Sequence, residues 1–311
     1  MVKILFAGMP EMGPHCFNAL HNAGKNIVGM IMPPKNNVAV YNVMLNLAQS
    51  AGIEILSYEK SMNDPEFIEK VRAKKADIGI VASFNRRFPK ALLESTKLGF
   101  VNSHPSLLPL YRGGNPYFYP IFNNEKETGI TMHFMDEAFD TGDIIFQKSI
   151  PILPCETMGT LFNRTNFMFA QAQVDMVTFL EEGNTLNRRP QDTSKNYPEA
   201  KMIHEHLGQT RIDWTLDASA IERFIRACNP FLGALSYYKE NPVKIHTGFF
   251  DEKKTSNKPP GMIVEVDDNH IAIAAGKGLF CPTSMQVGSY FSGDVKMFVD
   301  FVKPQVGEMF L

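Results

Sequence analysis

Short apolar runs alternate with amphipathic stretches through the first hundred residues of this 311-residue chain. Continuous apolar runs of strand length lie at residues 2–7, 26–32, 52–56, 76–82 and 98–102. Between them, apolar residues recur at helical spacing over residues 11–22, 41–50 and 64–73. This alternation predicts an α/β fold, with a Rossmann-like, mostly parallel sheet that has helices on both faces.

The pattern changes in the second half of the chain. Residues 129–135 and 144–150 predict two strands of a hairpin, and residues 156–181 predict one long helix. Residues 184–203 are polar, contain two prolines and predict a linker. A helix at 217–228 and short strands at 234–238, 243–249, 261–266 and 270–275 follow, which predict a small β-barrel or sandwich.

The composition is that of an ordinary globular protein, with 44% hydrophobic and 21% charged residues. The net charge is −2. Basic and acidic residues number 20 and 20 up to residue 203, then 11 and 13. Neither part has the excess of basic residues that is typical of a nucleic-acid-binding body.

The cysteines and the apolar runs indicate the cellular compartment of the protein. Cys16, Cys155, Cys228 and Cys281 form no CxxC pair, so they indicate neither a zinc knuckle nor a disulfide framework. Four scattered thiols fit a reducing compartment. No apolar run approaches the roughly 20 residues that a membrane helix needs. We therefore expect a cytoplasmic protein with no membrane partner.

The loop Gly8-Met9-Pro10-Glu11-Met12-Gly13 lies where a dinucleotide-binding loop would lie. That fingerprint needs a middle glycine, and here the position holds Pro10. No acidic residue closes the second strand at Met32 either. The loop therefore argues against a nicotinamide cofactor.

The densest set of chemically capable residues lies between Phe100 and Asp143. Asn102 and His104 are two apart on an extended segment, so their side chains share one side. They lie at and just past the end of the predicted strand 98–102, where ligands of parallel sheets bind. Asp140 follows in an Asp-Thr-Gly-Asp turn. A lone histidine is more often a surface or core residue, so the candidate site rests on the combination.

The motifs in this region carry a family resemblance. The run Asn-x-His-x-Ser-Leu-Leu-Pro-x-x-Arg-Gly-x-x-Pro spans residues 102–116, and Glu-Thr-Gly-Ile-Thr and Asp-Thr-Gly-Asp follow at 127–131 and 140–143. Together they resemble the methionyl-tRNA formyltransferase superfamily. Residues 211–214 and 225–230 resemble the start of its C-terminal domain. The resemblance implies a catalytic domain over 1–203, including the linker, and an OB-like β-barrel domain over 204–311.

The resemblance also implies a role for each matching residue. Asn102, His104 and Asp140 match the catalytic triad, the formyl donor is 10-formyltetrahydrofolate, and no metal is used. The expected folate-binding residues are Arg86, Arg87, Phe88, Ser106, Leu107, Leu108, Pro109, Asp136, Glu137, Ala138 and Phe139. Met9, Arg112 and Gly114 are expected to contact the acceptor. Arg112 has a second interpretation, an ion pair with Asp136 or Glu137.

These residue types suit the transfer of a formyl group to an amine. An amide and an imidazolium can stabilise the negative charge that develops on the formyl oxygen. A carboxylate can favour the charged imidazole and set its tautomer. The same groups also suit hydrolysis, with water in place of the amine.

The acceptor is predicted from weaker features. Residues 32–41 form a short segment with one basic residue, Lys35, whereas a tRNA-binding loop should carry clustered cations to neutralise phosphates. We therefore expect a small-molecule amine, such as a nucleotide-linked amino sugar. Gly114 replaces an arginine found in the similar enzyme that formylates a uronic sugar.

Four alternatives stay open. They are methionyl-tRNA as acceptor, another small amine, hydrolysis of 10-formyltetrahydrofolate, and a non-catalytic folate-binding paralogue. The sequence also leaves open whether the protein is a homodimer.

Overall fold

The computed structural model describes residues 1–32, 38–204, 207–289 and 291–311. Residues 33–37, which make up half of the segment used to predict the acceptor, lie outside the described residues. The chain divides into two compact units, and neither is a single stretch of sequence. The first comprises Met1–Pro116, Glu127–Pro151 and Asn163–Ala200, and the second Tyr117–Lys126, Ile152–Phe162 and Lys201–Leu311.

The first unit is built on a seven-stranded sheet with the order β3-β2-β1-β4-β5-β7-β8. Its strands are β1 (Lys3–Gly8), β2 (Asn26–Met32), β3 (Ile55–Ser57), β4 (Ile78–Ala82), β5 (Phe100–His104), β7 (Glu127–Phe134) and β8 (Ile144–Pro151). The first five are parallel, and β7 and β8 are antiparallel. This confirms the predicted Rossmann-like, mostly parallel sheet.

Alternation along the strands gives this sheet two apolar faces. Ile4 and Phe6 of β1 pack in one apolar cluster, and Leu5 and Ala7 pack in another. The helices are α1 (Gly13–Asn22), α2 (Val38–Ser50), α3 (Pro65–Ala73), the short α4 (Lys90–Leu93) and α6 (Met158–Glu181), whose first residues belong to the second unit. Both faces are therefore covered, as the continuous apolar strands predict.

The predicted linker is largely part of the first unit, which extends to Ala200. Within it, β9 (Glu199–Ala200) pairs with β6 (Arg112–Gly113) in a small parallel sheet. Gly113 has φ +113°, and a Cβ there would lie 2.7 Å from the Ala200 carbonyl oxygen. A glycine is required at this contact because any side chain would push the two segments apart.

The second unit is an antiparallel barrel. Its strands are β10 (Ala234–Tyr238), β11 (Asn241–Asp251), β12 (Ile263–Asp267), β13 (His270–Ala274), β14 (Leu279–Val287) and β15 (Phe291–Asp294), and its helices are α5 (Phe118–Phe122), α7 (Ala218–Cys228) and α8 (Val295–Val302). The chain end closes the gap between β10 and β12. Tyr237 exchanges two backbone hydrogen bonds with Leu311, and the N–H of Ile263 donates to the Glu308 carbonyl. The closed sheet confirms the predicted OB-like barrel.

In the described part of the chain, no helix has both the length and the apolar character needed to span a membrane.

Candidate active site

The end of β5 positions the first two predicted catalytic residues. The strand extends to His104, two residues further than predicted, because β7 pairs with it as far as Thr131. Asn102 and His104 stand on one side of the strand, and both reach Asp140. The sheet therefore holds the two side chains at a set spacing along one rigid strand.

The Asp140 carboxylate lies between these side chains. Its Oδ2 is 3.5 Å from His104 Nδ1 and accepts a hydrogen bond of 3.1 Å from the Gly113 N–H. Its Oδ1 accepts a bond of 3.3 Å from Asn102 Nδ2. The backbone of Asp140 is left-handed, with φ +57°. Asp140 thus joins Asn102 and His104, some 36 residues earlier in the chain, in one polar cluster.

His133 is a second histidine in this cluster, and the motifs do not point to it. Its Nε2 lies 3.5 Å from Asp140 Oδ1 and 3.3 Å from Asn102 Nδ2. His133 is directly opposite Asn102 in the β5–β7 pairing. The signal in the sequence is weak: the polar residues Thr131 and His133 alternate with apolar ones in the run 129–135.

His104 is buried, and the protein provides partners for both of its ring nitrogens. Nε2 lies 2.9 Å from the Tyr111 carbonyl oxygen, to which it donates, and Nδ1 faces Asp140. Burial lowers the pKa of His104, and it outweighs the opposing effects of Asp140 and of the Tyr111 hydrogen bond. The ring is therefore a base that can be protonated next to a carboxylate.

Asp140 itself stays ionised. Burial alone would raise its pKa, but the positive charge that His104 can carry and the hydrogen bond from the Gly113 N–H hold that pKa well below its usual range. A carboxylate in this position can stabilise a positive charge on His104.

The segment predicted as a linker holds the Asp140 turn in place. Gln191 is buried, and its Nε2 donates to the backbone oxygens of Asp140 and Gly142 at 2.9 and 2.8 Å. Its Oε1 accepts from Arg112 Nε and Nη2 at 3.1 and 2.6 Å, and Arg112 Nε also lies 3.1 Å from the Asp140 carbonyl. Both of these residues fix the turn, and Gln191 was not singled out from the sequence.

The alternative partners proposed for Arg112 lie elsewhere. Asp136 accepts hydrogen bonds from the Thr141 hydroxyl and from the Ala138 N–H. Glu137 is exposed, as is Gly114. Met9 is half-buried, and its N–H donates to the carbonyls of Ala82 and Ser83 at the end of β4. That Met9, Arg112 and Gly114 contact the acceptor remains a prediction.

A pocket opens beside the cluster, and we call it the donor pocket. It is a small cleft with a volume of about 30 Å³. The guanidinium of Arg87 lies 5.7 Å from the centroid of the exposed Phe139 ring, close enough for a cation–π contact. The lining residues are Val81, Phe84, Arg86, Arg87, Asn102, His133, Met135, Ala138, Phe139 and Asp140.

Other predicted folate-binding residues are buried around the site. Phe88 packs edge-on against Phe84 and Phe100, below the Arg86–Arg87 segment. Ser106 begins a turn with a cis Leu108–Pro109 bond, and Thr131 ties this turn to β7 by donating to the Ser106 carbonyl at 2.6 Å. Phe88 and the residues of this turn are not among the lining residues of the donor pocket, so their contact with folate remains a prediction.

A larger apolar cavity of about 530 Å³ lies away from this cluster. Its lining includes Ile130 and Met132, which alternate along β7 with Thr131 and His133. The cavity is therefore on the opposite face of β7 from the catalytic candidates. We assign the active site to the donor pocket despite its smaller size, because the titratable cluster is there.

Comparison with known families decides the class of the protein. Residues 3–177 match the family model for "Formyl transferase", and residues 207–291 match "Formyl transferase, C-terminal domain". The chain belongs to the formyl transferase family. It is a folate-dependent formyltransferase whose donor is 10-formyltetrahydrofolate, as the motifs predict.

The similar proteins differ in the acceptor that their names give. A methionyl-tRNA formyltransferase from Ruminiclostridium cellulolyticum is 31% identical over 99% of both chains. Another from Lachnospira eligens is 28% identical over 92% of both. Among solved structures, the N-formyltransferase from Helicobacter canadensis in complex with folinic acid and dTDP-3-aminofucose has a TM-score of 0.64 at 20% identity, over 91% of this chain and 98% of that one. At this identity the structure shows a shared fold.

Proposed function

We propose that this formyltransferase moves the formyl group of 10-formyltetrahydrofolate to the amine of a small molecule, and that Asn102, His104 and Asp140 carry out the transfer. The observation that supports this best is the cluster of these three residues at the edge of the donor pocket. Among them, Asn102 and Asp140 line the pocket, and His104 contacts Asp140.

The residues of the donor pocket fit a reduced folate. Apolar side chains such as Val81, Phe84 and Met135 suit a flat ring system. Arg86 and Arg87 are exposed cations that suit the carboxylates of the glutamate tail. When bound, the folate supplies an activated formyl group on N10.

The protein residues would act on the charges and protons of the transfer. The Asn102 amide donates a hydrogen bond to the formyl oxygen as negative charge grows there. The amine nitrogen forms a bond to the formyl carbon, the bond from that carbon to N10 breaks, and the proton lost by the amine ends on N10. Asp140 and His104 form the pair that holds this proton in passage, because burial keeps His104 neutral and Asp140 stabilises its charged form.

The charge distribution favours a small acceptor over tRNA. In the second unit, Arg226, Lys239, Lys254 and Lys296 each form an ion pair with a carboxylate of the same unit. Residues 204–311 hold 11 basic and 13 acidic residues, so this part of the chain lacks the excess of cations that would neutralise phosphates. We propose a nucleotide-linked amino sugar, since the fold is shared with an enzyme crystallised with dTDP-3-aminofucose.

The second candidate acceptor is the amine of methionyl-tRNA. The observation that favours it is the identity of 28–31% along nearly the full length of two methionyl-tRNA formyltransferases.

A panel assay separates these candidates. The protein is incubated with 10-formyltetrahydrofolate and, in separate reactions, a dTDP-linked amino sugar, an N-hydroxylated ornithine, methionyl-tRNA or no amine. We expect the mass gain of one formyl group on the sugar. A gain on methionyl-tRNA alone would replace the acceptor, and formate release without any amine would indicate hydrolysis. Folate binding with no formyl gain on any amine would refute the transfer.

A further inference from the structure

His133 has contacts that the proposed transfer does not use. Among the described residues, it is the histidine that lines the donor pocket. The residue is 1% exposed, and its ring lies within 3.3–3.5 Å of both Asn102 and Asp140. A buried imidazole at this position must satisfy both of its nitrogens or lose stability.

The orientation of the Asn102 amide follows from its neighbours. A carboxylate can only accept hydrogen bonds, so Asn102 must turn its NH₂ group, and not its oxygen, toward Asp140 Oδ1. That nitrogen carries two hydrogens. With one directed at Asp140, the other is directed at His133 Nε2, 3.3 Å away.

The backbone determines which nitrogen of His133 carries the hydrogen. Nδ1 lies 2.9 Å from the carbonyl oxygen of Phe134, which only accepts hydrogen bonds. The hydrogen therefore sits on Nδ1, and in the neutral ring Nε2 has a free lone pair. His133 can thus accept the second hydrogen of the Asn102 amide.

We propose that His133 is a positioning residue whose Nε2 accepts the second amide hydrogen of Asn102 and so holds this amide in place at the donor pocket. The inference rests on the proposed role of Asn102 as a donor to the formyl oxygen. A separation of 3.3 Å is longer than the usual 2.9–3.0 Å of a strong hydrogen bond. The Asn102 amide can therefore exchange its hydrogen bond to His133 for one to the formyl oxygen at a small cost in free energy. The plane of the amide is already fixed by its contact with His133.

Two substitutions separate this role from simple packing. His133→Leu fills the space but cannot accept a hydrogen bond, whereas His133→Gln retains an acceptor oxygen near the position of Nε2. We expect kcat to fall about 10- to 100-fold in His133→Leu, since a misdirected donor loses part of its effect on the developing charge. We expect the KM for the donor to change less than about threefold, and His133→Gln to recover most of kcat.

The control is His21→Leu, which removes an exposed histidine of α1 outside the site. We expect it to retain the wild-type rate. Equal losses in His133→Leu and His133→Gln, or a loss confined to KM, would overturn the positioning role.

A second measurement does not need an acceptor. In ¹⁵N NMR spectra of histidine-labelled protein, the His133 signals are identified by their absence in His133→Gln. We expect a hydrogen on Nδ1, a bare Nε2, and a shift of the Nε2 signal in Asn102→Leu. A hydrogen on Nε2, or an Nε2 signal that does not shift in Asn102→Leu, would overturn the inference. If no amine is formylated but this pattern is found, the proposed function fails and the hydrogen-bonding role of His133 stands.

Discussion

Replacing Gln191 with leucine should release the turn that carries Asp140. The substitution deletes an acceptor for two Arg112 N–H groups and two donors to the carbonyls of Asp140 and Gly142. A neutral hydrogen bond contributes about 1 kcal/mol and one to a charged group about 1.5–3 kcal/mol, and the contacts of one side chain do not add fully. We therefore expect a local loss of about 2–4 kcal/mol, which corresponds to a roughly 30- to 700-fold increase in opening of the turn.

Hydrogen–deuterium exchange of peptides covering residues 134–144 measures this opening. Two amides there are bonded across the base of the turn, Phe134 N–H to Asp143 O and Ile144 N–H to Arg189 O. Both should exchange faster in Gln191→Leu. The control is Gln171→Leu, an exposed glutamine of α6 bonded to Asp175, where the change should stay within about 0.5 kcal/mol.

A further variant separates the effect of the Gln191 side-chain oxygen from that of its nitrogen. Gln191→Glu keeps an acceptor for Arg112 but turns a carboxylate oxygen toward the two carbonyls, so exchange should still increase. If both Gln191 variants leave exchange at 134–144 at the wild-type level, Gln191 does not hold the turn, and our account of Asp140 positioning is wrong.

Three further expectations concern the site. His104→Ala should lower kcat about 100- to 10,000-fold without loss of the far-UV circular dichroism signal, and a near-wild-type kcat would contradict its role in proton transfer. Asp140→Asn should lower kcat and move the pH optimum down, because the pKa of His104 falls further without the carboxylate beside it; a pH–rate profile of the wild-type shape would make Asp140 structural. Phe139→Ala should weaken donor binding by about three- to tenfold with little change in kcat, measured by calorimetric titration with a folate; unchanged affinity would remove Phe139 from the donor pocket.

Asp140 also makes the free energy of unfolding depend on pH. Its pKa in the folded protein lies below the usual 3.8, so the ionised carboxylate stabilises the fold above pH 3.8, and this contribution disappears as the pH falls through the folded-state value. The free energy of unfolding, measured with urea between about pH 5 and pH 2.5, should therefore fall more steeply with decreasing pH for the wild type than for Asp140→Asn. Equal slopes would mean that the carboxylate is not stabilised by its neighbours.

The bounds of helices and strands could be predicted from the sequence where apolar residues recur with a clear local period. β2 and β10 have the predicted bounds, and the predicted long helix at 156–181 is observed as Met158–Glu181. The local period did not identify β14, whose burial follows no simple alternation, or the closure of the barrel by the chain end. Closure depends on hydrogen bonds between backbone segments far apart in the chain, and side-chain patterns do not report those.

The candidate triad could be read from the sequence because its three members belong to motifs with set residue types and spacing. The order of predicted strands and helices along the sequence likewise showed that an α/β unit precedes a β-rich one. Two members of the surrounding cluster required the tertiary structure. His133 reaches Asn102 through the register of two strands, and Gln191 reaches Asp140 from a polar segment some fifty residues away. Local periodicity encodes which face of an element is buried, but only the packed chain decides which polar groups on different elements come within hydrogen-bonding distance.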